Sequence, residues 1–172
     1  MPDQTRKPRA RLLVAYFSRT GNTKRVAQSL YERLRGVYEV ELTEIAPRHA
    51  RSYLHWLAYS FVPGSEVDVE NRPTDLSSYD GVLLGFPKWT FSCPPLNRFI
   101  RNLSGLEVPK FFLFMTCGGF DEQRFIHSIT RKLISMGCKV IESLTIKRKQ
   151  VIQARFETYV EACARRVEEC LG

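Results

Sequence analysis

The sequence predicts a three-layer α/β domain, with a doubly wound sheet of five parallel strands in the order 2-1-3-4-5 between two helical layers. Three observations predict it. Residues 12–17, 81–86 and 111–115 are unbroken apolar runs, and strands apolar on both faces belong in the middle of a helix-covered parallel sheet. Residues 38–43 alternate, while residues 140–146 include Glu142, Ser143 and Thr145; half-polar strands suit sheet edges. Helical patterns lie between the strands, and strand–helix alternation with right-handed crossovers winds such a sheet.

The first strand, residues 12–17, runs into Ser18-Arg19-Thr20-Gly21-Asn22-Thr23 and then a helix whose apolar face is Val26, Leu30 and Leu34, stopping at Gly36. The second strand is the alternating segment 38–43. Residues 45–78 form an insertion before the third strand. Within it, 49–62 predicts a helix with Tyr53, Trp56, Leu57, Tyr59 and Phe61 exposed or half-buried, and 63–78 predicts loop. The third strand, 81–86, precedes a helix opened by Pro94-Pro95, residues suited to a first turn, with Leu96, Phe99, Ile100 and Leu103 inward. After the fourth strand, Asp121 is the expected N-cap of a helix carrying Phe125, Ile129, Leu133 and Met136 and ending at Gly137. The fifth strand, 140–146, leads to a final helix whose stripe is Ile152, Phe156, Tyr159, Cys163 and Val167.

A chain of 172 residues that is 44% hydrophobic suffices for one well-buried domain and falls short of two. Residues 11–172 are therefore expected to form one unit, and residues 1–10 a disordered basic tail, with Arg6, Lys7 and Arg9 and two prolines. With no apolar run long enough for a membrane span or a leader, a cytoplasmic location is expected. Cys93, Cys117, Cys138, Cys163 and Cys170 show no CxxC or metal-ligand spacing, so reduced thiols are expected. His49, His55 and His127 are scattered, and no metal is expected. The net charge of +8 favours anionic partners, but no interleaved basic–aromatic module marks a nucleic-acid binder. Lys147-Arg148-Lys149 reads as a solvated run or a guide for an acidic partner. The oligomeric state is left open.

In an open α/β sheet, ligands sit beyond the carboxyl ends of the strands, at the switch point of the order. Three loops reach that place. The first, 18–23, brings hydroxyls, an amide and a glycine to a helix N-terminus, a setting for a phosphate or for simple helix capping. It lacks the lysine of a P-loop and the G-x-G-x-x-G spacing of a dinucleotide fold. The second, 85–95, is rich in aromatics and prolines, with Trp89 the natural stacking residue for a flat heterocycle and Phe91 its helper. The third, 116–120, contains Gly118 and Gly119, whose backbone N–H groups can face a ring's polar edge.

Taken together, S-x-T-G-N-T, G-F-P-x-W-x-x-x-x-P-P and F-x-T-C-G-G, in that order and at those strand ends, resemble the flavin-contacting loops of the flavodoxin superfamily. The resemblance spans residues 11–170 and implies a flavodoxin-like fold and bound flavin mononucleotide (FMN). It implies that Ser18, Thr20, Asn22 and Thr23 hold the phosphate, with Arg19 in the same loop and the Gly21 backbone assisting. Pro87, Lys88, Trp89 and Thr90 would border the isoalloxazine on one side, and Cys117, Gly118, Gly119 and Phe120 on the other. Cys93 and Cys117 fall in the two ring loops, and a thiol pair there is a candidate for exchange with the flavin.

One departure matters. Electron-carrier flavodoxins are acidic, and this chain is basic. The resemblance implies electron transfer between a donor and an acceptor, here with an acidic redox partner protein. It also leaves room for an FMN-dependent oxidoreductase acting on a quinone-like or porphyrinogen-like substrate. A protein-interaction module that keeps the fold without the chemistry is the reading from another class.

Overall fold

A computed structural model describes residues 9–49, 53–71 and 74–172. In chain order its elements are β1 (Arg11–Tyr16), α1 (Asn22–Leu34), β2 (Glu39–Glu44), α2 (Tyr53–Ser60), β3 (Thr74–Asp75), β4 (Gly81–Pro87), α3 (Pro94–Arg101), β5 (Leu103–Ser104), β6 (Lys110–Cys117), α4 (Glu122–Ser135), β7 (Lys139–Lys147), α5 (Arg148–Ile152) and α6 (Glu157–Leu171). The main sheet runs β2-β1-β4-β6-β7, all neighbours parallel. With the short β3–β5 pair set aside, this is the order 2-1-3-4-5.

Burial explains the order. β1, β4 and β6 are buried along almost their whole length, whereas β2 and β7 are largely half-exposed and occupy the edges. Successive residues of a strand point to opposite faces, so β1 feeds two cores. Leu13 and Ala15 join Leu96, Phe99, Ile100, Phe125 and Leu133 of α3 and α4. Leu12, Val14 and Tyr16 join Val26, Leu30, Leu34, Val160 and Val167 of α1 and α6. Each fully buried Leu or Phe contributes about 1.5–3 kcal/mol. Gly85 in β4 is required by close approach: it lies opposite Phe114 of β6, and a Cβ there would overlap the Phe114 ring.

Four local expectations are corrected. Leu103 leaves α3, which is capped at Asn102, and pairs instead in β5 with the segment 74–75, read from the sequence as loop. The final helix is two: Ala154 takes a left-handed φ of 53°, breaking the phase between α5 and α6. Val151, rather than Ile152, is therefore buried, Ile152 is 61% exposed, and Phe156 packs at the start of α6. Gln150 bridges the break, its amide donating to the Tyr159 hydroxyl at 2.9 Å. Asp121 stands at the N-cap of α4 but with φ 49° and no side-chain capping bond. Trp56 is buried, not half-exposed, because α2 packs it against Trp89. Residues 1–8 of the expected tail, residues 50–52 and 72–73 of the insertion, and the Tyr53 side chain lie outside the described residues.

Candidate flavin-site cleft

The three loops at the carboxyl ends of β1, β4 and β6 converge on one cleft of about 410 Å³. Arg19, Thr20, Asn22 and Thr23 line its first side. Pro87, Lys88, Trp89 and Thr90 line the second, and Cys117, Gly118, Gly119 and Phe120 the third. Two expected residues stand apart. Ser18 is not part of the wall, and its buried Oγ has no hydrogen-bond partner among the described residues. Gly21, the N-cap of α1, has φ 83° and borders a neighbouring groove instead. That left-handed φ favours glycine and turns the loop into the helix, whose first N–H groups are left for a ligand.

Hydrogen bonds set the loops. The Thr23 hydroxyl lies 2.8 Å from that of Thr116, tying the first turn of α1 to the end of β6. The Asn22 amide donates to Thr20 Oγ1 at 3.1 Å. The Lys88 N–H donates to the Thr116 carbonyl at 2.8 Å, and its Nζ donates to the Trp89 carbonyl at 3.0 Å. Trp89 meets Phe17 at 5.7 Å and Trp56 at 5.9 Å, with interplanar angles of 74° and 65°. The insertion supports this wall: Ser60 Oγ and Thr90 Oγ1 are 2.7 Å apart, and the Phe91 N–H donates to the Ser60 carbonyl. Asn97 locks the same loop from below, its amide donating to Ser92 Oγ and the Ser65 carbonyl.

Two sequence expectations fail here. Phe91 points away from the cleft, 62% exposed and against Phe61. Cys93 does not line the cleft either; it sits at the start of α3, fully buried, and burial pushes its thiol up to about 12. Cys117 does line the cleft, and burial raises its thiol against the opposing pull of Lys147 and Lys88. Both are free thiols. A fully buried Cys93 is inert packing, so the pair does not flank the cleft.

Four residues that line the cleft are not among the expected site residues: Thr116, Trp56, Leu57 and Arg148. Thr116 opens the third loop, one position before Cys117, and its hydroxyl had been given no role there. Leu57 comes from α2 beside Trp56, which also lines the cleft. Arg148 comes from the basic run read as solvated, and Lys147 of that run pairs with Glu122. No local signal distinguishes Arg148 from its neighbours; the return of the chain from β7 places it. Among the described residues the wall thus contains three cationic side chains, Arg19, Lys88 and Arg148, and no Asp or Glu.

The groups lining the cleft sort by chemistry along its length. Hydroxyls and a helix N-terminus occupy one end, suited to an anion. Indole rings and glycine-rich backbone occupy the other, suited to a flat heterocycle. Among the described residues no cluster of His, Cys, Asp and Glu is arranged to hold a metal, and no helix is long and apolar enough to cross a membrane.

Comparison with known proteins agrees with this geometry. An uncharacterized protein of Archaeoglobus fulgidus is 32% identical over 137 residues, 79% of this chain and 85% of that one. A crystal structure described as a candidate flavoprotein of Bacteroides uniformis superposes with a TM-score of 0.69 at 23% identity, covering 86% of this chain and 98% of the other. A flavoprotein of Lactobacillus acidophilus, solved in complex with FMN, superposes with a TM-score of 0.61 at 17% identity, covering 84% and 97%. The family model described as flavodoxin matches residues 11–144. With sheet order, loop placement and family match in agreement, the chain belongs to the flavodoxin family.

Proposed function

We propose that the cleft binds FMN and that the protein transfers electrons between a donor and an acceptor meeting at its rim. The observation that carries this is the convergence of a hydroxyl-bearing helix N-terminus, an indole wall and a glycine-rich loop on one cavity. A flavin bound there supplies one- and two-electron chemistry. The protein's own residues bind and orient. Thr20 and Asn22 offer donors at the phosphate end with the N–H groups of α1 behind them, and Trp89 and the 117–120 loop border the ring end.

The residues fit this group. Ser18 Oγ is a buried hydroxyl with no partner among the described residues, in the loop where an anion would accept its hydrogen bond. The cleft volume falls within the range of about 300–1,000 Å³ usual for small-molecule sites. Among the described residues no Asp, Glu or His lines the cleft. The three cations at the wall favour an acidic redox partner.

A second reading has one observation behind it: Trp56 and Leu57 bring the insertion into the cleft wall. An apolar wall of that kind would suit a flat acceptor of quinone-like or porphyrinogen-like shape, making the protein an oxidoreductase.

Reconstitution decides between these and a module without a cofactor. Titration of flavin-free protein with FMN should quench the flavin fluorescence at one-to-one stoichiometry, and Trp89→Ala should weaken binding by about tenfold or more. Protein that cannot be reconstituted would overturn the flavin reading. Turnover of a flat quinone by the loaded protein would favour the second reading over the carrier.

A further inference from the structure

A second groove opens beside the cleft, between the first turns of α1 and the short helix α5. Its volume is about 560 Å³, and it shares Thr20, Asn22 and Arg148 with the cleft. Beyond these it is bordered by Lys24, Arg25, Gln28 and Ile152. Its character differs from that of the cleft. Lys24, Arg25 and Arg148 bring three cations and no carboxylate lines it; Lys24 is bridged to Glu44 at 3.2 Å, while Arg25 and Arg148 have no carboxylate partner among the described residues. Ile152, 61% exposed, presents an apolar surface at the far side. Gln28 adds a carboxamide, which can donate and accept at once.

A single terminal phosphate, held by the hydroxyls and N–H groups of the 18–23 loop, needs none of these additional cations. We propose that this groove is an adenylate subsite, continuous with the flavin cleft through Arg148 and Thr20. Its occupant is an adenylate whose phosphate lies against the residues that the two cavities share. Arg25 and Arg148 would hold the second phosphate, and Gln28 and Ile152 would receive the purine edge and face. The inference rests on the flavin reading of the cleft for its first phosphate. The adenylate has two sources: the distal half of flavin adenine dinucleotide (FAD), or a separate adenine nucleotide such as a pyridine dinucleotide bound next to FMN.

Calorimetric titration tests this with two arms and one variant. In the first arm, flavin-free protein is titrated with FMN and with FAD. In the second, FMN-loaded protein and flavin-free protein are each titrated with ADP, with inorganic pyrophosphate as the control. The variant is Arg25→Ala with Ile152→Ser, two exposed residues of the groove that do not line the cleft.

If the flavin carries the adenylate, FAD binds about tenfold or more tighter than FMN, and the variant removes that difference while leaving FMN affinity unchanged. If a separate nucleotide carries it, FAD and FMN bind alike, and FMN-loaded protein binds ADP about tenfold or more tighter than the variant does. Equal binding of FAD and FMN together with no ADP binding would overturn the proposal. So would pyrophosphate binding as tightly as ADP, which marks a bare anion patch. Failure of FMN to bind while flavin-free protein still binds ADP would remove the flavin reading and leave the groove standing.

Discussion

The Thr23 and Thr116 hydroxyls, 2.8 Å apart and buried, join the first turn of α1 to the end of β6. Both residues line the cleft, so one contact ties together two of its three loops. Neither residue needs a ligand to be satisfied.

Breaking that contact should cost stability and affinity together. Thr23→Val leaves the Thr116 hydroxyl buried and unpaired, a loss of about 1–3 kcal/mol. The double variant with Thr116→Val should lose less than the sum of the single variants, since neither orphan remains. Urea unfolding of the four proteins checks this, and additive losses would refute the coupling.

Ser18 should behave in the opposite way. Its Oγ is buried without a partner in the ligand-free fold, so Ser18→Ala removes an unsatisfied group and should leave stability unchanged or raise it by about 1 kcal/mol. The same change should weaken FMN binding by about tenfold, the equivalent of one lost hydrogen bond to an anion. Thermal unfolding without flavin, paired with flavin titration, reads both signs.

Gly85→Ala tests the sheet beneath the site. A methyl group there would overlap the Phe114 ring, which is fully buried and has no room to retreat. The expected loss is about 1–3 kcal/mol from overpacking. Phe114→Leu in the same chain should recover part of it, measured by the denaturation midpoint.

High pH should unfold the protein through groups held protonated. Burial, then the bonds donated to Glu44 and Glu41, pushes the Tyr16 and Tyr79 hydroxyls from 10 up to about 12. Burial carries the Cys93 and Cys163 thiols from 9 to about 12 and Cys138 to about 11. These values are raised on folding, so their contribution to stability is complete below pH 9 and lost as pH rises from 9 through 12. Denaturation midpoints across that range should fall steadily, and Tyr16→Phe with Tyr79→Phe should flatten the upper part. In the folded protein at neutral pH, a disulfide thiol reagent should label Cys170 first, because the other four cysteines are buried.

Much of the fold was legible because burial writes itself into composition. Residues 12–17, 81–86 and 111–115 are apolar on both faces, and only a central parallel strand needs that, so three strands and their central positions followed directly. The site loops were legible for a related reason: a hydroxyl-rich turn and a Trp-Pro-rich turn are costly sequences unless something is bound or packed there. The final helix was misread because an apolar repeat does not show a break in its own phase, and Ala154 carries no glycine or proline signal of the break.

What the sequence determined alone was the sheet, its order and the three loops that face one crevice, since period and polarity are local properties of the chain. The tertiary structure decided which side chains the cleft receives. Arg148 reaches it only because β7 returns the chain beside the phosphate loop, and Trp56 only because the insertion folds back onto Trp89. Cys93, two residues beyond Phe91 in the same loop, was turned into the core instead. Contacts between segments far apart in sequence depend on packing geometry, and no local pattern encodes them.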